Sequence, residues 1–215
     1  MKIIDISRTL NNELSPWPGD VPFAFRTTAS IGPGCPVNIG AITSSVHNGT
    51  HADAPFHFDA SGKQIDTLPL SSYLGRTVVV DLSSKFLQTH NSRSISVSDL
   101  ESASERIAET NRLLIKTKVW SDSAMFPGWI PILETDVPAW LEKLGVVLIG
   151  MDVPSMDELD SKQLPIHHAL AHANIAIVES LDLSLVEAGV YHFAAIPLKI
   201  AGGDGAPVRA VLWTT

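Results

Sequence analysis

The chain has one cysteine, Cys35. No internal disulfide can form, and a cytosolic setting is the simple expectation. Cys35 sits in a "GPGCP" loop, where a small apolar residue is a better reading than a nucleophile. Basic residues are scarce: Lys and Arg number 15 against 23 Asp and Glu, for a formal net charge of -8. That balance argues against nucleic acid or an anionic membrane as partner, because both reward basic patches. It leaves a small-molecule substrate open. No apolar run reaches the roughly 18 residues needed to cross a bilayer. The N-terminal segment lacks the apolar core of a signal peptide, so none is expected.

Several catalytic signatures are missing too. There is no G-x-S-x-G elbow for a serine nucleophile. There is no P-loop, and "GGDG" (202–205) lacks dinucleotide-fingerprint spacing and reads as a turn. Asn48-Gly49-Thr50 matches a glycosylation acceptor, but nothing points to secretion. Repeats, low-complexity tracts and linkers are absent, so residues 1–215 are expected to form a single domain.

What is present is a patterned, apolar chain: 45% of its 215 residues are hydrophobic and 18% charged. That suffices for a sizeable core. Segments 37–46, 76–82, 112–117, 145–152, 174–180, 193–200 and 208–213, with "KIIDI" near the start, read as strands. Most are β-branched and almost continuously apolar, as in strands covered on both faces. Helices are fewer. "SDLESASERIAE" opens on Ser98 with Glu101 three residues on, a capping-box pattern. Segment 135–145 has Pro138 in its first turn and Gly145 as its stop. Segments 164–173 and 182–189 read as short helices. The expectation is an α/β fold with a mixed sheet and few helices. Strand 112–117, helix 135–145 and strand 145–152 suit a βαβ unit, and the strand-rich ends suit antiparallel pairing.

The histidines are unevenly spread. Three of eight, His47, His51 and His57, fall in "VHNGTHADAPFHF" beside Asp53. Imidazole and carboxylate are the common ligands of zinc and similar divalent ions. Asn48-Gly49 signals a turn and Pro55 disfavours helix before it, so a compact loop is expected, in which His47, His51 and Asp53 could converge. In an extended segment, 51 and 53 would share a side. The bland alternative is a polar loop whose histidines bond to backbone. A second cluster, His167, His168 and His172, precedes Glu179, an acid at the end of an apolar strand that is costly to bury unless paired or metal-bound. Together the clusters favour a metal site assembled from both halves of the chain.

The run His47-Asn48-Gly49-Thr50-His51-Ala52-Asp53-Ala54-Pro55-Phe56-His57 resembles the H-x-G-T-H-x-D-x-P-x-H signature of the metal-dependent cyclase-like hydrolases. Flanking blocks, among them "WPGDVPF", "LPLSSYLGR" and "MDVPSMDELDSKQLPIHH", resemble the family's bacterial kynurenine formamidase branch nearly end to end. The resemblance implies a swivelling β/β/α fold, usually dimeric, and hydrolysis of N-formyl-L-kynurenine in tryptophan degradation. It implies two zinc ions per subunit, with manganese or another divalent ion as alternative. His47, His51 and Asp53 would hold one ion. Asp53 would bridge to a second, completed by His167 and Glu179. His57 would be the catalytic proton donor and acceptor, and Trp17 an aromatic wall for substrate. Two local departures, Pro165 and "GGDGAPV", are expected to reshape the pocket rim without touching the proposed ligands. Two other readings compete: a sister hydrolase opening a cyclic amide such as isatin, and a non-catalytic metal- or ligand-binding module.

Overall fold

The computed structural model describes residues 1–88 and 93–214. In chain order its strands and helices are β1 (Lys2–Asp5), β2 (Ala24–Ala29), β3 (Ile39–Thr43), β4 (His51–Asp53), β5 (Leu74–Asp81), α1 (Ser83–Gln88), β6 (Ser94–Ile95), α2 (Val97–Leu100), α3 (Ser104–Thr110), β7 (Arg112–Lys116), β8 (Ile132–Leu133), α4 (Val137–Lys143), β9 (Leu148–Met151), α5 (Pro165–His172), β10 (Ala176–Glu179), β11 (Gly189–Ala194), β12 (Gly205–Pro207) and β13 (Val211–Thr214).

Nine strands form one mixed sheet in the order β1-β13-β11-β5-β7-β9-β10-β4-β12. Its centre, β5, β7, β9 and β10, is parallel. The flanks are antiparallel, including β1 on β13. The central strands alternate between two cores, as a two-residue period requires. Leu113, Ile115, Ile149 and Met151 enter one core with residues of α2 to α5. Leu114, Leu148 and Val178 enter the other, with Ile6, Phe193 and Leu212. Each such side chain contributes about 1.5–3 kcal/mol on burial. The strand β9 is buried throughout, which is why it reads as an unbroken apolar run. The β7–α4–β9 unit is the expected βαβ crossover, with parallel pairing of β7 and β9. Pro138 lies in the first turn of α4, and Gly145 follows it at φ +72°.

Four local expectations differ. Segment 182–189 is not helical: Leu183 and Val186 are both buried in the second core, and the chain enters β11 at Gly189. Tertiary burial there overrides a weak helical pattern. The strand expected over 193–200 is β11 instead, which leaves the sheet after Ala194; beyond it, Pro197 makes only an isolated bridge to Val208. The capping box is formed by Ser96 and Asp99, not Ser98 and Glu101. β6 ends at Ile95, so the helix starts two residues earlier, and the Asp99 carboxylate accepts the Ser96 backbone N–H at 2.8 Å. Finally, residues 51–53 are a strand rather than part of a loop, because β4 is paired on both sides, by β10 and β12. Strand β2, which pairs with β3 as a separate hairpin, has a pattern too polar to stand out. No helix of the described residues is long and apolar enough to cross a membrane.

The loop after β4 is closely packed backbone on backbone. Phe56 N–H donates to Lys63 O at 3.1 Å, and a Cβ on Gly62 would lie 2.4 Å from the Pro55 carbonyl carbon and 2.6 Å from Phe56 N. Backbone cannot yield as a flexible side chain can. Gly62→Ala is therefore expected to cost about 1–3 kcal/mol in urea unfolding. Gly128→Ala, with nothing within 4 Å, should stay within about 0.5 kcal/mol of the parent.

Candidate metal centre

The strand β4 carries the centre. Antiparallel pairing sets Glu179 of β10 directly opposite His51, and Gly205 of β12 directly opposite Asp53. His51 and Asp53, two residues apart, project to one side. The turn before β4 returns His47 to the same place, with Gly49 at φ +64°, a left-handed conformation that glycine takes without strain. The short 3-10 turn Pro55–His57 after β4 brings in His57. Helix α5 adds His167 from across the fold.

The polar atoms converge on Asp53. Its Oδ1 lies 3.0 Å from His47 Nδ1 and 3.3 Å from His51 Nε2; its Oδ2 lies 3.5 Å from His167 Nε2. Glu179 spans His51 Nε2 at 3.5 Å and His167 Nε2 at 3.3 Å. His51, Asp53, His167 and Glu179 are all buried. Two further groups fix the rings. His51 Nδ1–H faces Gly49 O at 2.9 Å, and His167 Nδ1 meets Asp157 Oδ2 at 2.6 Å. Each ring therefore presents Nε2 to the centre, the arrangement that outer partners impose on metal-ligating histidines. Asp157 also accepts the Ile166 and His167 backbone N–H groups at the start of α5, so one carboxylate sets helix and ring together.

Without a cation the centre is electrostatically unbalanced. Burial would push the His167 imidazole down, but the neighbouring carboxylates of Asp157, Asp53 and Glu179 outweigh it and push it up to about 12. Burial likewise opposes charge on His47, yet Asp53 and Asp204 raise it to about 9. Asp53 resists burial and is held well below the usual carboxylate range by bonds from His167, His47 and His51. Buried carboxylates are stabilised here only by positive charge on imidazoles. One oxygen is not satisfied even so: Glu179 Oε1 is sealed from water and has no partner of hydrogen-bond geometry.

These residues fit a divalent cation, or two. Two donor sets lie within 4.8 Å of each other internally, His47–Asp53–His57 and His51–Asp53–Glu179. Asp53 belongs to both. The sets divide the imidazoles differently from the family resemblance, which puts His47 and His51 together and leaves His57 free. His167 stands next to the second set. Of the second histidine cluster only His167 reaches the centre; His168 and His172 are exposed and line a second cavity of about 630 Å³, which touches the centre at Asp53. Cys35 belongs to neither donor set, and its Sγ–H donates to Val37 O.

The centre opens into a cleft of about 340 Å³ whose lining includes Trp17, Trp120, Phe126, Lys162 and His57. Trp17 meets Phe126 edge-to-face at 5.1 Å. His57 Nδ1 lies 3.4 Å from Asp204 Oδ2, and His47 Nε2 lies 3.0 Å from the same oxygen. Sequence reading missed Asp157, Asp204, Trp120 and Phe126. Asp204 was hidden in a glycine turn; an acid ten residues before His167 was the only trace of Asp157.

The sequence model of the Cyclase family matches residues 4–158. The chain is 44% identical to the kynurenine formamidase of Geobacillus thermodenitrificans over 209 residues, covering 97% of this chain and 96% of that one. It is 42% identical to the kynurenine formamidase of Bacillus anthracis over 211 residues, covering 98% and 97%. Among solved structures, a metal-dependent hydrolase from Bacillus stearothermophilus superposes with a TM-score of 0.79 at 27% identity, covering 98% and 97%. Isatin hydrolase A from Labrenzia aggregata gives 0.82 at 20% identity, covering 98% and 93%, a likeness of fold alone. The chain belongs to the cyclase family, alongside its bacterial kynurenine formamidases.

Proposed function

We propose that the chain hydrolyses N-formyl-L-kynurenine to L-kynurenine and formate, a step of tryptophan degradation, using two zinc ions per chain. The observation that carries this reading is the sealed Glu179 Oε1, which makes no hydrogen bond and is met by His167 Nε2 as an ion pair at 3.3 Å, in a shell of oriented imidazoles opening on an aromatic-lined cleft. His47, His51, Asp53, His167 and Glu179 hold the ions, with Asp53 shared. When bound, such ions draw on the formyl oxygen and acidify water, which makes a resonance-stabilised amide carbon attackable near neutral pH.

The chain's own residues do the rest. The aniline nitrogen leaves poorly as an anion, so it must be protonated as the C–N bond breaks. His57 suits that role. It is the most exposed imidazole of the centre, with Nδ1 toward Asp204, and it lines the cleft. Trp17 and Phe126 hold the substrate ring and so place its formyl group over the centre. The relatives above 40% identity carry the formamidase name, whereas the isatin hydrolase stands at 20%, so the linear amide is preferred over the cyclic one.

The working unit is a homodimer in the cytoplasm. The hairpin β2–β3 stands apart from the main sheet and exposes Phe25, Ile39 and Ile42, each more than half accessible. An apolar arm of this kind is costly to leave in water.

His57→Ala is expected to keep its metal and lose at least about a hundredfold in kcat, read by elemental analysis beside a formylkynurenine assay; lost metal with an intact fold would make His57 a ligand instead. Asp53→Ala should empty both sites. If elemental analysis still found two ions per chain, the shared role of Asp53 would be wrong.

A further inference from the structure

Arg8 belongs to no metal set and does not line the cleft, yet it joins the two. Its backbone N–H donates to Thr50 Oγ1 at 2.8 Å, and Thr50 Oγ1 donates to Ser180 O at 2.7 Å. Thr50 and Ser180 each adjoin a residue of the centre, His51 and Glu179. The Arg8 side chain runs the other way. Its guanidinium lies over Trp120, with Cζ 3.9 Å from the ring centroid, and Nη2 donates to the carbonyls of Trp120 at 2.8 Å and Asp152 at 3.1 Å. Arg8 Nε is buried with no hydrogen-bond partner, so the fork is spent on this contact rather than on solvent. The nearby charges are the carboxylates of Asp152 and Asp182.

Trp120 is the buried end of the aromatic wall. Its ring is 6.3 Å from Phe126, which in turn meets Trp17, and its Nε1–H donates to Met125 O at 2.8 Å. Asp152 clamps the start of the same loop, accepting from Thr117 N–H and Oγ–H and from Lys118 N–H.

We infer that Arg8 is a positioning residue for aryl specificity: it fixes the distance between the metal-bearing strands and the aromatic wall, so that a ring on the wall sets its amide over the centre. This rests on the reading that the cleft takes an aryl amide. A planar, delocalised cation desolvated over an indole is the strongest form of such a contact, and lysine does not reproduce it.

The test is Arg8→Met beside Arg8→Lys in the metal-loaded protein. Arg8→Met should raise KM for N-formylkynurenine about tenfold, with kcat within about twofold of the parent and metal content unchanged. Hydrolysis of a ringless formamide such as N-butylformamide should keep its kcat/KM. Arg8→Lys should stay within about threefold of Arg8→Met. Binding of formanilide, followed by tryptophan fluorescence quenching, should weaken about tenfold in both variants; this readout needs no turnover and stands even if the parent proves inactive on formylkynurenine. Unchanged formanilide binding, an equal loss on both substrates, lost metal, or full rescue by lysine would each overturn the inference.

Discussion

The concentration of buried charge around Asp53 governs this structure. Two carboxylates, Asp53 and Glu179, and two imidazoles, His51 and His167, meet where water is excluded. An isolated buried ion is far too costly to keep, and even paired ions repay desolvation only when their remaining lone pairs are satisfied. Protonated imidazoles meet part of that demand, as the raised His167 and His47 show. They leave Glu179 Oε1 unmet. A divalent cation held by these residues would supply the missing positive charge and would let the imidazoles act as neutral donors.

The fold serves that constraint. Glu179 ends a parallel strand, His51 and Asp53 share one face of an antiparallel strand beside it, and Asp204 leads into the strand on the far side. Three neighbouring backbones thus fix four side chains without any long flexible reach. Asp157 then ties α5 and the His167 ring to the same point through three bonds. Sites built on strands and helices hold their geometry more closely than sites on loops. The cleft, by contrast, is made of loops, with Trp17, Trp120 and Phe126 held to one another and to Arg8. The candidate metal donors thus sit on the rigid part and the aromatic wall of the cleft on the more adaptable part.

How much of this was legible depended on the kind of signal. The central strands announced themselves because burial on both faces leaves no polar interruption, as in β9. The crossover β7–α4–β9 followed from the same pattern with a clear proline start and glycine stop. Strand β2 did not, since it faces solvent and mixes polar with apolar residues, although its partner β3 falls within the strand read over 37–46. His47, His51 and Asp53 were visible as a local cluster. His167 could be tied to them only through the acid at 179, and the choice of His167 over His168 followed the family resemblance. In the structure it is a matter of helix face: His167 is buried and His168 exposed. Asp204 and Asp157 were not legible because an aspartate in a turn looks the same whether it faces water or a ring nitrogen. Nor could the sequence show that residues 51–53 are a strand. That depends on partners at 177–179 and 205–207, and a three-residue run has no periodicity of its own.

The most direct test of a cation-demanding centre is calorimetric titration of zinc into chelator-stripped protein, with formylkynurenine turnover measured at each point. The account predicts saturation at two ions per chain, with turnover absent in the stripped protein and rising as the ions bind. Turnover that survives stripping, or a folded stripped protein that takes up no zinc, would contradict it.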